Sequence, residues 1–96
     1  MPLTGKQRRA LRALGHHLKA VLQVGHAGLT PGLLAAVEQA LHDHELVKVR
    51  VLETAPESRT EVAATLASAT ESEVAQVLGR TVLLYRHRAE KPKIHL

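Results

Sequence analysis

Signals for the start of a helix occur at three places in the chain and divide it into alternating helices and strands. Two have the spacing of a capping box, in which a Ser or Thr and a Gln or Glu three positions later satisfy backbone N–H groups at a helix start. These two signals are Thr4 with Gln7 and Ser58 with Glu61. The third is Thr30 before Pro31, since proline at the first helical position loses no hydrogen bond. We predict helices over residues 5–15, over the stretch that begins at Pro31, and from the Ser58 cap to near Thr70.

The segments between these helices have the apolar patterns of strands. Leu46–Val51 alternates, so its valines lie on one face and Lys48 and Arg50 on the other. The run Ala20–Val24 is too short for a stable helix and is followed by Gly25, which favours a buried strand. The first half of the chain therefore reads helix, strand, glycine loop, helix, strand.

A terminal hairpin completes the pattern. Two β-type runs, Glu73–Leu78 and Thr81–Arg86, flank Gly79-Arg80, where glycine supplies the positive φ of a two-residue turn. The order α-β-α-β-α-β-β predicts a two-layer α/β fold, with a four-stranded mixed sheet covered mainly on one face by three helices. We expect one domain over residues 1–96, because this length leaves no room for two cores, with residues 90–96 as a flexible tail.

Composition excludes several classes of function. The chain has no cysteine, so disulfides, thiolate catalysis and cysteine-ligated zinc are excluded. Its seven histidines show no metal-ligand spacing, and no nucleophile elbow or Walker loop occurs, so we expect no metal, no cofactor and no catalysis. The basic amino-terminal segment is not followed by a signal-peptide core, and no apolar run is long enough to span a membrane. We expect a cytoplasmic protein.

Positive charge is concentrated at the two ends of the sequence. Residues 1–37 carry a net charge of +5, residues 38–73 carry −5, and residues 74–96 carry +4. If the two ends lie together in the fold, one face attracts a polyanion while the acidic middle faces elsewhere. An ordinary mixed surface whose charges only keep the protein in solution stays open as the alternative.

The segment Gly25-His26-Ala27-Gly28, called the glycine loop below, is the main candidate site. A Gly-x-x-Gly segment between a strand and a helix lets a sugar-phosphate backbone approach without interference from Cβ atoms. The helix that follows aims its free N–H groups and positive dipole end at the same place. A tight connection without function is the alternative, because two fixed glycines make a weak pattern.

Basic residues flank the glycine loop in the predicted fold and would add contacts to phosphate. The predicted RNA-binding residues are those of the glycine loop (Gly25, His26, Ala27 and Gly28) together with Lys6, Arg8, Arg9, Arg12, Lys19, Lys48 and Arg50. A platform of stacking aromatics is unavailable, because the chain has one Tyr and no Phe or Trp. Recognition should therefore depend on the backbone and shape of the RNA.

Taken together, these motifs resemble the CRM domain family (chloroplast RNA splicing and ribosome maturation) in its stand-alone bacterial, YhbY-type form. The resemblance runs from about Leu3 to Arg86 and rests on the order and spacing of five segments: Thr4–Gln7, His16–Ala20, Val24–Thr30, His44–Val51 and Gln76–Arg86. Ala20 and His87 stand where the family commonly has proline. Neither departure lies in the glycine loop.

The resemblance implies a fold and a partner. The fold is related to the carboxy-terminal domain of translation initiation factor three, and RNA binds through a KH-like GxxG loop, which here is Gly25–Gly28. The partner is ribosomal RNA of the large-subunit precursor, bound during ribosome assembly by what we expect to be a monomer. Two alternatives stay open: a module that docks a basic ribosomal protein through the acidic residues Glu38, Asp43, Glu45 and Glu53, and a histidine-dependent ribonuclease.

Overall fold

The computed structural model describes residues 3–96 of the chain. Met1 and Pro2, which the predicted domain includes, lie outside the described residues. The elements are α1 (Gly5–Gly15), β1 (Leu22–Val24), α2 (Pro31–His44), β2 (Leu46–Val51), α3 (Arg59–Thr70), β3 (Glu73–Leu78) and β4 (Thr81–Tyr85). The predicted order and class, three helices and a four-stranded mixed sheet, are confirmed.

The three helix starts form as their sequences predict. The Thr4 hydroxyl accepts from the Gln7 backbone N–H at 3.1 Å, and the Gln7 side chain accepts from the Thr4 N–H at 3.0 Å. A second capping box joins Ser58 and Glu61 at the start of α3. Pro31 occupies the first turn of α2, behind its Thr30 cap. Local hydrogen bonding is therefore enough to set where each helix begins.

The sheet has the strand order β1-β2-β4-β3. β1 and β2 are parallel, while β2 with β4 and β4 with β3 are antiparallel. β1 is shorter than the predicted strand, because only Leu22–Val24 stays in register with β2. The β3–β4 hairpin turns at Gly79, whose φ is +58°, as its sequence predicts.

The larger core lies between the sheet and helices α2 and α3. It contains almost completely buried residues of strands β1, β2 and β4 and of the two helices: Val24, Val37, Leu41, Val47, Val49, Val51, Val62, Ala63, Leu66, Val82 and Leu84. These side chains are aliphatic, as the composition requires. Alternation in β2 thus points its valines to α2 and α3.

The position of helix α1 differs from the predicted two-layer arrangement. It lies on the opposite face of the sheet, where Leu11 packs with Leu46, Ala75, Leu83 and Tyr85. Three layers result, with α1 on one face and α2 and α3 on the other. The cause is β4, whose apolar side chains alternate onto both faces and therefore require cover on both.

The terminal segment lies against the same side of the molecule as α1. Ile94 and Leu3 both pack against the cluster of apolar side chains around Leu11, so the two ends of the described chain are neighbours. Glu45 is completely buried, and its carboxylate accepts from the backbone N–H groups of Arg88, Lys93 and Ile94. The flexibility predicted for residues 90–96 stays a prediction, and these contacts argue against it.

Candidate nucleic-acid interface

The glycine loop is a tight turn with an exposed tip. The Gly28 N–H donates to the Gly25 carbonyl at 2.9 Å, and φ of Gly28 is +72°. His26 and Ala27 are exposed at the tip, whereas Gly28 is buried. The positive φ explains why glycine occupies the last position of the turn.

The loop leads directly into the start of α2. The Thr30 N–H donates to the Gly28 carbonyl at 3.1 Å, and the Thr30 hydroxyl accepts from the Leu33 N–H at 3.1 Å. The amino end of a helix of 14 residues therefore lies beside the turn. Its dipole makes the electrostatic potential there favourable to an anion.

A carboxylate covers part of this loop. A Cβ placed on Gly28 would lie 2.9 Å from both side-chain oxygens of Glu57 and 3.0 Å from Cγ of Pro56. Gly28 is thus enclosed by the segment that joins β2 to α3. The accessible part of the loop is His26 and Ala27, and not Gly28 as the sequence alone suggested. Sequence reasoning missed Glu57 because it lies in a separate loop, with no local pattern that pairs it with Gly28.

Arg50 is the predicted basic residue nearest to the loop along the sheet. In the register of β1 and β2 it pairs with Gln23, two residues before Gly25, which is roughly 7 Å along a strand. On its other side it pairs with Thr81 of β4. Arg50 is exposed on the sheet face that α1 partly covers, so its guanidinium is accessible at the end of the sheet where the loop emerges.

Arg12 and Lys48 come together on the same face. They line a cleft of about 100 Å³ with His16, Gln76 and Thr81. The Lys48 ammonium donates to the Leu18 carbonyl at 3.1 Å, which holds it against the segment between α1 and β1. Arg12, Lys48 and Arg50 are called the basic cluster below. Sequence reasoning did not select His16, Gln76 or Thr81, and only the docking of α1 on the sheet brings them together.

The remaining predicted cations lie farther from the loop. Lys6, Arg8 and Arg9 are exposed on the first half of α1, with Arg9 and Lys6 about 4.5 and 9 Å before Arg12 along the helix axis. Lys19 precedes β1 and lines a groove with Leu14 and Leu18. It therefore lies at the opposite end of β1 from the loop. The assignment of these residues to an RNA site stays a prediction.

The four acidic residues named for the alternative docking surface each have a partner within the chain. Glu38 forms an ion pair with Arg86, and Glu53 forms one with Arg80 at 3.2 Å. Glu45 is buried beneath the terminal segment. Asp43 accepts from the Gln39 side chain at 3.0 Å. The alternative of a docking surface for a basic protein stays a prediction.

The histidines and the tyrosine show no reactive arrangement. His16 and His17 make an edge-on ring contact with centroids 5.4 Å apart. No group of three His, Cys, Asp or Glu side chains placed to hold a metal ion occurs within residues 3–96. Tyr85 is buried, and its burial, followed by the nearby Glu45 charge, raises its pKa above the ordinary value of 10.0. Over the described part of the chain, no helix is both long and apolar enough to cross a membrane.

Comparison with known proteins places the chain in a family. The model of the CRS1 / YhbY (CRM) domain matches residues 3–86, which include the glycine loop and every residue of the basic cluster. The chain belongs to the CRM domain family. This CRM domain matches over the segments on which the resemblance rested, and that prediction is confirmed.

Relatives of similar length support the assignment. The chain is 38% identical over 94 residues to "Probable RNA-binding protein YqeI" of Bacillus subtilis, with 98% of each chain covered. It is 39% identical over 93 residues to "Probable RNA-binding protein PA4753" of Pseudomonas aeruginosa, covering 97% of this chain and 89% of that one. The solution structure of SAV1595 from Staphylococcus aureus superposes with a TM-score of 0.83, at 38% identity and 98% coverage of both chains. This CRM domain therefore shares its fold with a solved relative.

Proposed function

We propose that this CRM domain is a non-catalytic RNA-binding protein that holds the sugar-phosphate backbone between the tip of the glycine loop and the basic cluster. The observation that carries the proposal is the position of Arg50. It lies on an exposed strand end next to the loop, with Arg12 and Lys48 behind it. The names of the relatives YqeI and PA4753 support RNA as the ligand.

The chemistry of the surface favours contacts to phosphate over contacts to bases. Three cations and a helix amino end bind anions, whereas Tyr85, the sole aromatic among Phe, Trp and Tyr, is buried in the core. Stacking of bases on an aromatic platform is therefore unavailable to this chain. We expect weak dependence on sequence and stronger dependence on the folded shape of the RNA.

The absence of catalysis is part of the proposal. The exposed histidine nearest to the basic cluster is His16, and its ring contacts His17 and not a carboxylate that would orient it. RNA incubated with the purified protein should stay intact with and without divalent metal. Reproducible cleavage that one histidine substitution abolishes would contradict this part.

The finer proposal is a role in assembly of the large ribosomal subunit, on RNA of its precursor. It is supported by family membership and by a surface suited to structured RNA. The experiment is sedimentation of the tagged protein from lysate, with the expected result that it migrates with large-subunit precursors. Migration only with free protein, or only with the small subunit, would contradict the role in large-subunit assembly and leave RNA binding to be tested separately.

RNA binding itself is tested by removing one charge at a time. Arg50→Gln should weaken binding of a labelled RNA hairpin about three- to tenfold, since it removes a central phosphate contact. Lys91→Gln is the control, because it removes an equal charge from the exposed terminal segment. Equal losses in the two variants would show that net charge, and not this surface, determines binding.

A further inference from the structure

Glu57 lies in the segment that joins β2 to α3, between Pro56 and the Ser58 cap of α3. This segment folds over the last glycine of the glycine loop. The closest approach is made by the carboxylate, since both of its oxygens lie 2.9 Å from the position of a Gly28 Cβ. An anionic side chain therefore occupies the space beside Gly28, next to the loop tip at which the proposed function places RNA phosphate.

One oxygen of this half-buried carboxylate lacks a hydrogen-bond partner in the described part of the chain. Oε1 of Glu57 is buried and has no hydrogen-bond partner among residues 3–96. A buried acceptor without a partner is costly, and a charged one more so. The two neighbouring acids differ, since Glu53 is paired with Arg80 and Glu61 completes the capping box of α3. Glu57 thus has no such structural partner to explain its position.

We propose that Glu57 is an affinity-setting residue at the glycine loop, where its carboxylate competes with an RNA phosphate for the space beside Gly28. The inference rests on the proposed function. A phosphate that approaches Gly28 contacts this carboxylate or displaces it, and two anions in contact repel each other. Glu57 therefore lowers the affinity of the loop and directs the phosphate toward His26, Ala27 and Arg50.

The experiment measures binding of a labelled RNA hairpin by fluorescence anisotropy for the parent protein and for Glu57→Gln. Because Glu57→Gln removes the negative charge of the competing carboxylate, this variant should bind the RNA about three- to tenfold more tightly than the parent. Glu57→Ala should tighten binding to a similar degree, because it removes the same charge without adding an amide to the buried position. Thermal melting of each variant shows whether the fold is kept, and either folded variant suffices for the test.

Glu53→Gln is the matched control for a general effect of charge. It removes one negative charge from the same segment and also releases Arg80 from its ion pair. A nonspecific field effect therefore predicts at least as large a gain for Glu53→Gln as for Glu57→Gln. Our proposal predicts a clearly smaller gain.

The outcomes separate the two proposals. A parent protein that binds no RNA overturns the proposed function and, with it, this inference. A parent that binds, with Glu57 variants that bind equally or more weakly, overturns the role of Glu57 alone. The role of Glu57 is also overturned if Glu53→Gln raises the RNA affinity as much as Glu57→Gln does. A rise in affinity that is specific to the Glu57 variants supports the proposal.

Discussion

Gly28 is constrained both by its own backbone and by its neighbours. Its φ of +72° is a conformation in which alanine is strained, and Pro56 and Glu57 enclose the position of a Cβ. Gly79 has a similar φ of +58°, but no atom lies within 4 Å of its Cβ position. Comparison of alanine substitutions at Gly28 and Gly79 therefore separates the free-energy cost of backbone strain from the cost of packing.

We predict that Gly28→Ala destabilises the protein more than Gly79→Ala. Both variants should lose about 1 kcal/mol from the positive φ, and Gly28→Ala should lose up to about 1 kcal/mol more. The Glu57 side chain can swing away, so the unavoidable part of the extra loss is displacement of Pro56. Urea denaturation of the two variants measures the difference, and an equal or smaller loss for Gly28→Ala would show that the segment around Pro56 yields freely.

Tyr85 makes stability sensitive to alkaline pH. Burial, and then the Glu45 charge, raise its pKa in the folded protein above 10.0, so above pH 10 the unfolded chain releases a proton that the folded chain keeps. The free energy of unfolding should therefore fall as the pH rises from 10 toward the folded pKa. We predict that Tyr85→Phe removes this component of the decrease. Unfolding curves of parent and variant at several alkaline pH values test it, and parallel decreases would contradict it.

At the scale of elements, local patterns predicted where the helices begin but not which face of the sheet each helix covers. Capping boxes and turn glycines are local signals, so α1, α3 and the hairpin were predictable from sequence. The side on which α1 packs depends on long-range contacts with Leu83 and Tyr85. The all-apolar run Val82–Tyr85 was the available signal for burial on both faces.

The same limit applies to the candidate site. The glycine loop was readable from sequence because a turn between a strand and a helix has local chemistry. The cleft around Arg12 and Lys48 was not, because it exists only where α1 docks on β2. The contact of Glu57 with Gly28 joins two loops that no periodicity connects. Sequence therefore predicted the residue types of the surface better than their arrangement.

The placement of α1 predicts unequal roles for its arginines. Arg12 borders the cleft with Lys48, whereas the Arg9 guanidinium lies 3.5 Å from a Cβ position on Gly5, near the amino end of the helix. Arg12→Ala should weaken RNA binding more than Arg9→Ala, and each should change stability by less than about 0.5 kcal/mol. Anisotropy and melting measured in parallel check both statements. A larger loss of RNA affinity for Arg9→Ala than for Arg12→Ala would show that the interface lies on the outer side of α1 instead.

At the scale of the whole molecule, the fold decides how an uneven charge sequence becomes a surface. The two basic ends of the described chain meet where Leu3 and Ile94 pack against the same apolar cluster. Of the acidic residues in the middle, Glu38 and Glu53 form ion pairs and Glu45 is buried. The two basic ends meet at the Leu46 and Tyr85 end of the sheet, which is the end away from the glycine loop, so the positive potential near the loop comes from the basic cluster.

Salt dependence reports how many phosphates this surface contacts. For contacts to single strands, log K should fall by about 0.7 per phosphate for each unit of log salt, so three to five contacts give a slope of roughly −2 to −3.5. Anisotropy titrations at several salt concentrations measure the slope. A flat response would mean that binding does not involve the phosphate backbone.

The most direct test of the account is to map the bound RNA on the protein by NMR. Titration of isotope-labelled protein with an RNA hairpin should shift the amide signals of the glycine loop, of the basic cluster and of neighbouring His16 and Thr81. Signals from the outer faces of α2 and α3, on the far side of the sheet, should stay in place. Shifts concentrated on α2 and α3, with the loop and the basic cluster unaffected, would contradict the proposed interface.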